Sequence, residues 1–167
     1  MVVVDVQEAF RKAVLEFDRV AASAGVLVQA ARILDLPVVV TEQYPKGLGH
    51  TVPEVAEHVG GVEPLAKTVF SATGAEGFDL GGRDQVLMCG IETHVCVYQS
   101  ALGLIDDGIE VQVASDAVSS RSEENRELGL HKMETAGAAI TSVETALFEL
   151  LGAAGSDEFK QIQKLVM

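Results

Sequence analysis

The run from Val86 to Ile91, in Gln85-Val-Leu-Met-Cys-Gly-Ile91, constrains the fold of this chain more than any other segment. It is apolar at successive positions, with no polar residue interleaved. A strand with one wet face alternates polar and apolar residues; an unbroken apolar run of this length fits a strand buried on both faces. Val2-Val3-Val4 and Val38-Val39-Val40 have the same character. Between these two, Val20, Ala24, Leu27, Ala31 and Leu34 fall at alternating spacings of four and three, the stripe of a helix that Pro37 stops. Two-sided strands alternating with helices predict a parallel sheet covered on both faces. Right-handed crossovers then give an α/β fold, a three-layer αβα sandwich around a mostly parallel, doubly wound sheet.

The remaining elements follow from local signals. Residues 42–51, with Tyr44-Pro45, Gly47 and Gly49, read as a loop, and residues 53–59 as a short helix with Thr51 as its cap. Thr68-Val69-Phe70 is a weak strand, and residues 72–82 are irregular. A helix over 95–107 closes at Gly108. A strand over 110–114 passes through Ser115-Asp116 into a loop, and a polar helix covers 122–134. Ala139-Ile140-Thr141 forms the last strand. A helix over 142–151 follows, with Thr141 and Glu144 at capping-box spacing, and a terminal helix covers 156–167. No repeat or linker interrupts the chain, so residues 1–167 read as one domain, a normal size for a single core.

Charge narrows the partners. With 12 basic and 25 acidic residues the net charge is −13, which argues against nucleic acid and against an anionic membrane surface. No apolar run approaches the roughly 18 residues that span a bilayer. The start of the chain lacks the basic and apolar regions of a signal peptide, and two cysteines do not make a disulfide scaffold, so the expected location is the cytoplasm.

Ligands in doubly wound sheets bind outside the carboxyl ends of the strands. That rule selects Asp5, the residues after Val40, and the turn from Gly90 to Cys96. Cys96 falls within the first turn of a helix, where free N–H groups and the helix dipole favour a thiolate, so it is the candidate nucleophile. Cys89, in mid-strand, reads as inert core. Asp5 closes an apolar strand, where a carboxylate is costly unless paired. It serves either as a cap or, beside a thiol and a lysine, as a base. Lys67 precedes a strand-like run, and on its own reads as a solvated charge. His94 offers a second possible partner for Cys96. The four histidines show no metal-ligand spacing and no phosphate-binding glycine motif follows the first strand, so no metal or cofactor is expected.

Three of these segments resemble a known family. Asp5-Val6-Gln7 after a β-run, Lys67-Thr-Val-Phe-Ser71, and Gly90-Ile-Glu-Thr-His-Val-Cys96 are similar to the motifs of the isochorismatase-like cysteine hydrolases, in that family's order and over nearly the whole chain. Thr41-Glu-Gln-Tyr-Pro-Lys-Gly-Leu-Gly49 and Ser142-Val-Glu-Thr-Ala-Leu147 are most similar to the isochorismatase domain-containing subgroup. The resemblance implies a parallel-sheet αβα hydrolase that forms homo-oligomers and acts on a small molecule. It implies a catalytic triad of Asp5, Lys67 and Cys96, in which Asp5 takes the thiol proton and Cys96 forms a thioester. It further implies a cis peptide between Ile91 and Glu92, with the N–H groups of Glu92 and Cys96 forming an oxyanion hole.

The sequence also departs from the family. Nicotinamidases of this family hold a metal through an Asp and a His after the second strand; Gln43 and Pro45 stand at the matching positions here. True isochorismatases lack the cysteine nucleophile. The lead before Asp5 is shorter than is usual, which implies residues absent from this chain. The expected activity is therefore metal-independent cleavage of a C–N bond in a small amide. Two rivals remain: a non-catalytic oligomeric binding or scaffold protein, and a thiol redox protein, the latter lacking a C-x-x-C partner.

Overall fold

Val2, Val3 and Val4 have no exposed surface, and their register explains why. They form strand β1 (Val2–Val4), which lies between β2 (Val39–Gln43) and β4 (Gln85–Ile91), pairing Val3 with Val40 on one side and with Cys89 on the other. With β3 (Leu65–Lys67), β5 (Glu110–Ser119) and β6 (Ala139–Thr141), these strands make a six-stranded sheet in the order β3-β2-β1-β4-β5-β6. Every pairing is parallel. The computed structural model from which this is read describes residues 1–167.

Side chains alternate across a strand, so each strand feeds two cores. Val3, Cys89 and Ile91 pack into a layer with α1 (Phe17–Ile33), α6 (Val143–Leu151) and α7 (Asp157–Val166). Val2, Val4 and Met88 pack into the opposite layer with α4 (Tyr98–Asp106) and α5 (Glu123–Ala136). The expected αβα sandwich is therefore the observed architecture. The α1 stripe is buried at Val20, Ala24, Leu27 and Ala31. No helix is long and apolar enough to cross a membrane.

Several boundaries differ from the sequence reading, each for a physical reason. β2 continues through Thr41–Gln43, because Glu42 is buried and its carboxylate accepts from the Thr51 N–H (2.6 Å) and hydroxyl (2.8 Å). Thr51 is thus engaged, and the single turn α3 (Pro53–Ala56) has Val52 at its N-cap with no side-chain bond. Another single turn, α2 (Pro45–Leu48), lies within the expected loop. β3 ends at Lys67, just before Thr68, where the weak strand was expected to begin; Val69 and Phe70 lie in an exposed bend. β5 does not stop at Ala114. Met88 pairs with Val113 and Gly90 with Val118, so the strand bulges over residues 114–117 and rejoins the sheet. Ser142, not Thr141, caps α6, accepting from the Thr145 N–H (3.2 Å), because Thr141 is still paired in β6.

Gly90 is required by close approach. Its φ is +125°, and a Cβ there would lie 2.0 Å from the Val4 carbonyl oxygen. Gly90→Ala should destabilise the protein by about 3 kcal/mol or more, from overpacking and a strained backbone together. Urea denaturation checks this.

Candidate active site

The strand order reverses between β1 and β4, so their carboxyl ends diverge and leave a crevice, the usual ligand position in such sheets. Asp5 follows β1 directly. Its φ is +54°, in the left-handed region that Asp tolerates better than most residues, and its N–H donates to the Thr41 carbonyl (3.1 Å). The Asp5 carboxylate accepts from the Thr41 hydroxyl (2.7 Å) and from Lys67 Nζ (2.6 Å). Both side chains of this ion pair are completely buried (0% exposed). Lys67 is the last residue of β3 and also donates to Gln43 Oε1 (2.7 Å), the Phe70 carbonyl (2.9 Å) and the Val69 carbonyl (3.3 Å).

Cys96 lies in a π-helical turn, Thr93–Val97, between β4 and α4. Such turns recur at functional sites. Burial pushes the Cys96 thiol up to about 12, and the Asp5 carboxylate, by its charge and by hydrogen bonding to the thiol, acts in the same direction. Lys67 and the Glu92 N–H, which bonds the sulfur, act in the opposite direction and are outweighed. The expectation of a thiolate is thus corrected: the resting sulfur is a thiol beside a carboxylate. Cys96 is in the body of the turn and nearly buried, so desolvation dominates over the helix-start effect. Cys89 is fully buried core, as its mid-strand position implied, and burial raises its thiol to about 12 as well.

The structure brings Asp5, Lys67 and Cys96 together, and His94 is engaged elsewhere: its Nδ1 lies 3.0 Å from the Ser120 hydroxyl. The Ile91–Glu92 peptide is cis, as the resemblance implies. The Glu92 carboxylate accepts from the Arg121 N–H (3.0 Å) and Nε (3.0 Å), tying this turn to the segment after β5. Thr93 Oγ1 is the one buried side-chain polar atom without a partner.

Other residues of the site were not singled out from sequence. Thr41 and Gln43, noted from sequence only as part of a motif and, for Gln43, as a residue unsuited to bind metal, bond Asp5 and Lys67. Buried Gln7 accepts from the Gln43 N–H (2.7 Å) and donates to the Gln43 (3.0 Å) and Gly49 (2.7 Å) carbonyls. The Ser100 hydroxyl donates to the Cys96 carbonyl (2.6 Å) and accepts from the Ala72 N–H (2.7 Å), a link with no sequence signal. A cleft of about 380 Å³ lined by Val39, Gln85 and Glu110 opens at the amino ends of the strands, on the edge away from Cys96. It includes none of Asp5, Lys67 and Cys96, which lie at the other edge. No group of three or more His, Cys, Asp or Glu side chains is arranged to hold a metal ion.

A doubly wound sheet with a cysteine, a carboxylate and a lysine at its switch point matches a defined class. The family model described as the isochorismatase domain matches residues 1–145, and the chain belongs to that family. It is 41% identical over 165 residues to isochorismatase domain-containing protein 2A of Mus musculus, covering 97% of this chain and 79% of that protein. A solved structure described as the MAR1 ribonuclease from Caenorhabditis elegans superposes with a TM-score of 0.92 at 40% identity, over 99% of this chain and 87% of the other. The ycaC gene product of Escherichia coli, described as an octameric hydrolase of unknown specificity, superposes with a TM-score of 0.82 at 26% identity, over 91% and 78% of the two chains.

These electrostatics give a test at the sulfur. Iodoacetamide alkylation of Cys96 should rise with pH from 7 to 10 without a plateau, because its thiol titrates near 12, while Cys89 stays unlabelled. Asp5→Asn removes a charge that raises the thiol and leaves Lys67, which lowers it, so labelling at pH 7.5 should accelerate by about tenfold or more. Peptide mapping by mass spectrometry reads both.

Proposed function

We propose that this chain is a cysteine hydrolase that cleaves the C–N bond of a small amide-like compound through a thioester on Cys96. The observation that carries the reading is a buried thiol in contact with a carboxylate that is itself paired, without exposure, to a lysine. Asp5 takes the Cys96 proton as the sulfur attacks the carbonyl carbon, and Lys67 stabilises the charges. The carbonyl oxygen becomes an oxyanion, and the N–H groups of Glu92 and Cys96 donate to it; the contact of the Glu92 N–H with the sulfur supports this assignment. Collapse breaks the C–N bond, and Asp5 returns its proton to the leaving amine. A water then gives its proton to Asp5 and attacks the thioester. Breaking the C–S bond releases the acid, and the proton on Asp5 returns to the sulfur.

Family membership supports a hydrolase-like function. The E. coli neighbour, described as an octameric hydrolase, supports a homo-oligomer, with exposed Tyr44 and Phe70 beside the site as surface for a neighbouring copy. The name of the C. elegans neighbour raises RNA as a substrate, but a chain of net charge −13 has little with which to attract phosphates. Two free, buried cysteines suit a reducing compartment such as the cytoplasm.

A panel of small amides should show turnover in the wild type. Asp5→Asn should lower it by about 10²–10⁴-fold, the usual contribution of a general base, and Cys96→Ala should abolish it. An acyl adduct on Cys96, seen by intact mass after acid quench, would identify the thioester. Turnover that survives Cys96→Ala would refute the reading, and a folded protein inactive on every amide would favour the scaffold. Light scattering should give a mass several times the 17.6 kDa of one chain.

A further inference from the structure

We infer that the acyl portion of the substrate carries no anionic group, and that Gln43 is the residue that sets this preference. The inference rests on the hydrolase reading for its chemistry. Sites that take carboxylate-bearing substrates offer them unengaged N–H groups on Lys or Arg. Lys67 is the cation at the thiol, and an ammonium has three donors. Those donors are taken by Asp5 Oδ2 (2.6 Å), Gln43 Oε1 (2.7 Å) and the Phe70 carbonyl (2.9 Å), with the Val69 carbonyl (3.3 Å) as a further acceptor. None is left for a substrate, and the charge itself is matched by Asp5 at full burial.

Of the arginines tied to this turn, Arg121 is bonded through Nε alone and its side chain is 62% exposed, so its charge is spread into solvent rather than held at the thiol. Arg121 Nε is held by both oxygens of the Glu92 carboxylate (3.0 and 3.2 Å). Arg126 donates to the Val118 and Ser115 carbonyls and to Glu123. A carboxylate brought to Cys96 would be desolvated opposite Asp5, and Lys67 has no donor left to compensate it, a costly arrangement. A net charge of −13 adds long-range repulsion. Tyr44 and Phe70, each about half exposed (55% and 51%), flank the Lys67 network and suit an apolar group. Gln43 is the decisive member. It takes one Lys67 donor through Oε1 and is itself fixed by donating through Nε2 to the Thr68 carbonyl (3.0 Å). A small side chain at this position would return that donor to an incoming anion.

Two independent measurements test the inference. In the first, Cys96 is alkylated with iodoacetamide and with iodoacetate, which differ in charge at nearly constant size. The ratio of rates is compared with that for 2-mercaptoethanol under the same conditions. The expected ratio at Cys96 exceeds the mercaptoethanol ratio by about tenfold or more, and falls at least threefold in Gln43→Ala. Equal ratios for Cys96 and mercaptoethanol, or a ratio that Gln43→Ala leaves unchanged, would overturn the inference. In the second, butyramide and succinamate, amides of matched length, are offered as substrates. Hydrolysis of butyramide alone supports the inference and hydrolysis of succinamate overturns it. Hydrolysis of neither counts against the proposed function, and the alkylation ratio still decides the charge preference.

Discussion

The buried pair of Asp5 and Lys67 is the interaction on which the site depends. Two charges with no exposed surface must satisfy one another and find further partners, because removing either leaves an ion stranded at a cost of about 3–5 kcal/mol. Thr41, Gln43 and the carbonyls of Val69 and Phe70 supply those partners. The consequence is geometric. The ends of β1, β2 and β3 and the bend after β3 are joined by a polar network above an apolar sheet. Gln7 extends the network to the loop ending at Gly49. The crevice edge therefore keeps its shape although it is built largely of loop.

That network also sets the chemical state of the sulfur. An isolated cysteine at a helix start tends toward the thiolate, but here desolvation and the neighbouring carboxylate hold the proton on Cys96. A thiol beside a buried carboxylate keeps its proton, so a reactive anion does not accumulate at rest. Lys67 and the Glu92 N–H work in the other direction, so the sulfur sits between opposing influences that a bound carbonyl compound can tip.

The sheet positions each member without reference to sequence neighbours. Asp5, Lys67 and Cys96 lie far apart in the chain, yet the order β3-β2-β1-β4 brings their strand ends side by side. Ser100 ties the Cys96 turn to Ala72, and Glu92 ties it to Arg121, so the turn that carries Cys96 is braced from both flanks. The cleft at the amino ends of the strands has none of these groups.

What the sequence by itself determined was everything carried by local periodicity and by motif. The apolar runs at Val2–Val4 and Val86 to Ile91 specified strands buried on both faces, and the stripe from Val20 to Ala31 specified the α1 face. The motifs around Asp5, Lys67 and Cys96 pointed to one family. Tertiary structure decided what depends on neighbours distant in the chain. β2 runs on through Glu42 because Thr51 waits to satisfy its carboxylate, and Thr141 is not a cap because Ala114 pairs with it. Gln43, a non-ligand in the sequence, becomes a partner of Lys67 only once β2 and β3 pair. The Cys96 proton follows the same logic: helix position is local, but burial and the Asp5 charge are not, and in a low-dielectric interior the non-local effects are the larger ones.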